Sequence, residues 1–233
     1  VKRTGLLVAA GGVVVLVCLA AIWLSTHPTY VPTIDAEWQR LMLANPLPPV
    51  LDVARVLDVL GQGVIGFVVL PLVVAALLWR RGRGAVGLVI LSSLVSLAAA
   101  QLLKHVAERA RPAPMLVPSD LGSFPSGHVA NIATLAVVVL LVVPLRRVAL
   151  LGALAVVVMA LSRTFLNVHW LTDTLAGALL GAAVPVLLAA AVRFGEGAGK
   201  RPPERVRQPA PDHPSRVRRD RAAECPQRDA AGS

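Results

Sequence analysis

The sequence predicts an all-α polytopic membrane fold with six transmembrane helices, and composition, run length and charge placement carry that expectation. Of its 233 residues, 56% are hydrophobic and only 15% are charged, against about a quarter charged in an ordinary soluble domain. Mean hydropathy is +0.70. The apolar residues gather into runs near the roughly 20 residues that a helix needs to cross a bilayer. In hydrocarbon every backbone N–H and C=O must pair within its own segment, so such runs are helices.

Six runs qualify, at about 5–24, 62–79, 84–103, 129–145, 148–166 and 170–192. The first follows Lys2 and Arg3 and lacks a small-x-small cleavage signal before Ser25. It is expected to be an uncleaved span rather than a secretory signal. Lys2 and Arg3, then Arg80, Arg81 and Arg83, then Arg146 and Arg147, then the basic C-terminal tail fall on one side. Basic short loops mark the cytoplasm. Both termini are therefore expected inside, in a protein of the plasma membrane. The acids Asp35, Glu37, Asp52, Asp58, Glu108, Asp120 and Asp173 fall on the opposite side. Lys104, Arg109, Arg111 and Arg163 share that outer side against the topological preference. They need another reason to be there.

Between the first two runs, Pro28, Pro32, Pro46, Pro48 and Pro49 interrupt the chain. Trp38, Leu41 and Met42 form one apolar face, and Val53, Val56, Leu57 and Leu60 another. Two short helices on the outer surface are expected, since amphipathic stretches with an interfacial Trp favour that boundary; loop packing over the bundle is the ordinary alternative. Residues 1–195 form the membrane domain. From 196 to 233 Pro, Arg and acids alternate without periodicity, which predicts a disordered cytoplasmic tail whose bases meet anionic headgroups. The formal net charge of +10 does not point to nucleic acid, because the bases sit in this tail or flank apolar runs. Cys18, inside the first run, and Cys225, in the tail, predict no disulfide. No Cys-x-x-Cys or clustered acidic site suggests a metal.

Three outer segments hold the unusual residues. Lys104 is followed after six residues by Arg111-Pro112; Pro125-Ser126-Gly127-His128 precedes the fourth run; Ser162-Arg163 is followed after five residues by His169 and after three more by Asp173. Phosphoryl transfer needs positive charge around the equatorial oxygens and an in-line nucleophile. Lys104 offers a point charge, Arg111 and Arg163 offer planar forks for phosphate oxygens, and Ser126 and Gly127 offer the N–H groups of a helix start. His169 and Asp173, four apart, would share one helix face, so that the carboxylate holds one imidazole nitrogen and frees the other to attack. His128 remains to protonate the departing oxygen. Each residue alone has an ordinary reading, as a snorkelling cation, a helix cap or a solvated histidine. Topology brings all three segments to one face, which those readings do not explain. His27, His105, His213, Arg109, Glu108 and Asp120 do receive the ordinary reading.

At these residues the sequence resembles the type 2 phosphatidic acid phosphatase family of membrane phosphatases, whose signature is the same three segments in the same order. The resemblance covers Lys104 to Asp173 directly and the six spans by architecture. It implies a metal-independent, cofactor-free reaction on a lipid phosphate through a phosphohistidine. His169 would be nucleophile, Asp173 its partner and His128 the acid; Lys104, Arg111, Ser126, Gly127 and Arg163 would hold the phosphate. Ser162 is expected only to pack or cap. The site also resembles that of the vanadium-dependent haloperoxidases, which are soluble. A glycerolipid phosphate (phosphatidic acid or phosphatidylglycerol phosphate) and a polyprenyl diphosphate both remain open as substrates. The alternatives are a lipid phosphotransferase and a non-catalytic lipid-phosphate binder or transporter; a channel is disfavoured because Ser92, Ser93 and Ser96 form only one short polar stripe. Gly177 and Gly181 offer a small-residue face to a partner chain or to a helix within the bundle, which leaves the oligomeric state open.

Overall fold

The computed structural model describes residues 2–45, 47–119 and 122–199, without the side chains of residues 2, 3 and 192–199. All regular structure among them is helical: α1 (Lys2–Thr26), α2 (Thr33–Ala44), α3 (Pro48–Gly61), α4 (Leu70–Leu77), α5 (Arg83–Ala107), α6 (Gly127–Val142), α7 (Arg146–Phe165) and α8 (Leu171–Gly199). Asp120 and residues 200–233 lie outside the described residues. Within the segment expected to be disordered, α8 continues through 196–199.

This is a membrane protein. Four segments, Thr4–Thr26, Arg83–Ala107, Arg146–Phe165 and Leu171–Ala191, are long and apolar enough to cross a bilayer. They correspond to the first, third, fifth and sixth expected spans. The second takes a different form. A π-helical stretch, Ile65–Val69, leads into α4, and together with α3 it makes a pair bent by 65° that qualifies as one broken span.

Pro71 explains the π-helical turn, because it has no N–H and its ring crowds the preceding turn. Leu70 donates to Ile65 O, five residues back, so the Gly66 carbonyl has neither Leu70 nor Pro71 as a helical donor. Asn131 Nδ2, buried on α6, supplies the missing donor at 2.7 Å. The fourth expected span, α6, has only 16 residues. It stops before Pro144, which disfavours helical geometry at Val143.

Three apolar clusters hold the helices. Val17, Ala21 and Leu24 of α1 pack with Ala100, Leu103 and Ala107 of α5 and with Ala176, Leu180 and Val184 of α8. Ala75 and Leu78 pack with Val89 of α5 and with Leu135 and Val138 of α6. Ala54 of α3 meets Leu166 and Val168 beside the site.

Gly177 and Gly181 face α6 rather than a partner chain. A Cβ at either would collide with the carbonyl of Ser126 or Ala130, so the small residues set how closely α8 approaches α6. The two short helices expected before the second span are α2 and α3. Val53, Val56 and Leu60, on the expected apolar face of α3, are exposed, while Ala54, Asp58 and Gly61 turn inward. The polar stripe of α5 is buried, and Ser96 bonds Thr134 of α6 at 2.7 Å.

Candidate active site

The three unusual segments meet at one end of the bundle. Lys104 lies in the last turn of α5, and its Nζ donates to Gly122 O at 2.8 Å. Glu108 then takes a left-handed conformation, with φ of 44°, which ends α5 and turns the chain across the site. Arg111 donates to the carbonyls of Val168 and Gly122, tying the first segment to the third. Ser126 is the N-cap of α6. Its N–H donates to Asp173 O at 3.0 Å, and its buried Oγ has no hydrogen-bond partner. Gly127 and His128 open α6, whose first N–H groups have no partner within the helix.

His169 and Asp173 meet, though not as two positions on one helix face. His169 lies in the loop before α8, while Asp173 stands in the first turn of α8. Asp173 Oδ2 accepts the N–H of Trp170, the residue just before the helix, at 2.9 Å. This third-position carboxylate reaching back over the helix start is half of a capping box. The same Oδ2 lies 3.6 Å from His169 Nδ1, which makes no hydrogen bond, so the ring faces the acid with Nδ1 and turns Nε2 elsewhere. Burial, and then the positive charges of Lys104, Arg111 and Arg163, hold the His169 imidazole well below its usual pKa. That direction favours the neutral ring, which has a lone pair to offer.

Arg163, buried on α7, pairs with Asp58 Oδ1 of α3 at 2.6 Å. His128 Nε2 lies 3.7 Å from the same carboxylate oxygen and 3.3 Å from the Asp58 carbonyl. Ser162 points away, its Oγ donating to Met159 O at 2.7 Å, in line with a packing role.

The ordinary reading of Arg109 is overturned. It is 2% exposed, and its guanidinium joins Asp173 Oδ1 to Asp35 Oδ2 of α2. The signal was present in the sequence, since Arg109 is one of four bases on the acidic side. Its neighbours in the fold were not readable there. Nothing in the sequence marked Asp35 or Asp58 beyond their side of the membrane. His27 and His105 are exposed, as expected. A cleft of about 450 Å³, lined by residues including Arg111, Pro112, Met115 and Gly122, opens beside these groups. Among the described residues no three His, Cys, Asp or Glu side chains stand together as a metal-holding group.

Residues 85–195 match the sequence model of the PAP2 superfamily. The curated undecaprenyl-diphosphatase of Sulfolobus acidocaldarius is 30% identical over 128 residues, 52% of this chain and 62% of that protein. The chain thus spans less than two thirds of that relative's length. Among solved structures, the transmembrane PAP2-type phosphatidylglycerolphosphate phosphatase of Bacillus subtilis superposes with a TM-score of 0.59 at 23% identity, over 81% of this chain and 98% of that one. Aquifex aeolicus LpxE superposes with a TM-score of 0.58 at 25% identity, over 66% of this chain and 94% of that one. The matched segment contains every residue from Lys104 to Asp173.

Proposed function

We propose that this protein is a metal-independent lipid phosphate phosphatase that works through a phosphohistidine on His169. The observation that carries the reading is the meeting of Lys104, Arg111, Arg163 and His128 around one buried imidazole whose Nδ1 faces a carboxylate. His169 Nε2 attacks phosphorus in line with the leaving oxygen. Lys104, Arg111, Arg163 and the Ser126–Gly127 helix start hold the equatorial oxygens and neutralise the charge that develops there. Asp173 stabilises the imidazole as it becomes cationic. His128 gives its proton to the lipid oxygen as the P–O bond breaks. It then takes a proton from the water that cleaves the N–P bond, so phosphate leaves and both histidines return to their starting states.

The substrate is a phosphate monoester or diphosphate of a membrane lipid. Similarity to a protein named undecaprenyl-diphosphatase makes a polyprenyl diphosphate the first substrate to test. The fold shared with a phosphatidylglycerolphosphate phosphatase makes a glycerolipid phosphate the second. Phosphate release by purified protein from both classes, with EDTA present, tests the chemistry. Activity that disappears in chelator and returns with magnesium would overturn it. Transfer of the phosphoryl group to an added lipid alcohol, with no free phosphate, would mark a phosphotransferase.

We further propose six spans, the broken pair and α6 included, with the termini in the cytoplasm and the site outside it. The basic loops at Arg80–Arg83 and Arg146–Arg147 support this orientation. In a Cys18→Ala, Cys225→Ala background, a cysteine at Ser119 is expected to react with an impermeant thiol reagent in intact cells. Labelling only after the cells are opened would invert the topology.

A further inference from the structure

We propose that Arg109 and Asp35 are positioning residues for the nucleophile, and that through Asp35 the outer helix α2 becomes part of the catalytic apparatus. This rests on reading His169 as the attacking group. Neither residue belongs to the phosphate-holding set, and Asp35 lies outside the segment that defines the superfamily.

The geometry is specific. The backbone of Arg109 is pinned on both sides, since Ala110 N–H donates to Pro28 O at 2.8 Å and Ser123 N–H donates to Arg109 O at 2.9 Å. Its side chain then runs inward past the Trp170 ring, with the guanidinium carbon 5.7 Å from the ring centroid. One terminal nitrogen donates to Asp173 Oδ1 and, at 2.8 Å, to Thr172 Oγ1. The other donates to Asp35 Oδ2 at 2.8 Å and to Tyr30 O at 3.4 Å. Its Nε is buried with no hydrogen-bond partner. All these terminal contacts lead to the first turn of α8, Asp173 included, or to the α1–α2 region, so the ends of this arginine are already engaged.

Asp35 completes the clamp. Its Oδ1 accepts Thr172 N–H at 2.9 Å, and its Oδ2 accepts the Thr172 hydroxyl at 2.6 Å. One carboxylate from α2 therefore grips both Arg109 and the first turn of α8, the turn that carries Asp173. Asp35 and Asp173 are both fully or nearly fully buried. A buried carboxylate without a counter-charge is expensive to ionise, so Arg109 is what lets Asp173 face His169 as an anion. A single arginine on a single acid would also neutralise it. The second acid shares the guanidinium and leaves the trio with one net negative charge. That charge is what a ring becoming cationic during attack requires. The charged or titratable groups facing Asp173 are Arg109 from the loop after α5, Lys104 from α5 and His169 from the loop before α8, with Asp35 of α2 behind Arg109.

The test uses full-length protein in lipid nanodiscs, carrying Arg109→Gln or Asp35→Asn, with Arg109→Lys as the milder change should the first not fold. Both substitutions are expected to lower kcat, and the rate at which labelled phosphate is trapped on His169, by up to about 100-fold, since misplacing a reacting group by about 1 Å can cost that much. KM should stay near wild type. The acid limb of the kcat profile should move in opposite directions. Loss of the cation in Arg109→Gln displaces it to higher pH, and loss of the competing anion in Asp35→Asn displaces it to lower pH. General damage to packing does not produce opposed displacements. Turnover within twofold of wild type with unmoved limbs, or a change confined to KM, would overturn the clamp while leaving the phosphohistidine reading intact. A wild type that is active yet traps no phosphate on His169 would remove that reading, and the clamp with it.

Discussion

The two histidines of the site live in unlike surroundings. His169 is 3% exposed at its side chain, lies in a loop, and turns Nδ1 toward a carboxylate fixed by a helix start and by Arg109. His128 is 14% exposed, stands in the first turn of α6, and is confined by Gly61 and by the edge of Phe67, whose ring centroid is 6.4 Å away. Its nearby acid, Asp58, is already engaged by Arg163. Each ring therefore borders an acid that an arginine also holds, but the acid beside His169 is fixed by a helix start as well. A nucleophile needs a fixed direction of attack and a partner for its developing charge. A proton donor needs only reach and a way to be recharged. The contrast suits His169 to the first task.

The largest expected effect removes the first ring. His169→Ala should abolish phosphate release from every substrate, whatever its leaving group, together with any label trapped by rapid denaturation at high pH. Label found instead on His128 would reverse the two roles. His128→Ala is expected to cost less, and to cost it selectively. General acid catalysis is worth about 10²–10⁴-fold, so turnover of an alkyl phosphate should fall by that much. An aryl phosphate, whose leaving oxygen needs no proton, should lose far less. Equal losses on both would mark His128 as a phosphate ligand.

A third comparison probes the charge around His169. Lys104 is one of the cations that depress its pKa. Removing a cation raises the pKa of a base, so Lys104→Met should move the acid limb of the free enzyme's kcat/KM profile to higher pH. A limb that stays in place would mean that another group sets it. The smallest effect belongs to the packing around His128. A Cβ at Gly61 would stand 2.5 Å from His128 Cδ2 and 3.3 Å from Met159 Cε. Gly61→Ala should therefore tilt the ring and slow an alkyl substrate about 3–10-fold, a modest part of what general acid catalysis is worth, and should spare an aryl one. Equal slowing of both would show that the substitution disturbs more than the acid.

Much of this site was legible in the sequence. Lys104, Arg111, Ser126, Gly127, His128, Arg163, His169 and Asp173 form a pattern of cations and imidazoles, and hydrophobic runs deliver it to one end of a bundle. The same rule that exposed Lys104, Arg111 and Arg163 also exposed Arg109. Spacing alone offered no way to tell a phosphate ligand from an arginine committed to two acids. The pairing of His169 with Asp173 was foreseen, but through a shared helix face. In the fold it is made by a carboxylate reaching back over the start of α8. The second span was visible as an apolar run, while its π-helical turn, read back from Pro71, depends on Asn131 arriving from α6 to satisfy a freed carbonyl.

That this chain is a bundle of apolar helices with basic and histidine residues gathered at one end follows from hydrophobic length and motif spacing, which are properties of the chain alone. That Asp35 and Asp58, from segments far from the motifs, each take hold of an arginine there is a consequence of the folded arrangement. A buried charge must find its partner in space, and the helices that bring Asp35 to Arg109 and Asp58 to Arg163 are separated along the chain by 74 and 105 residues.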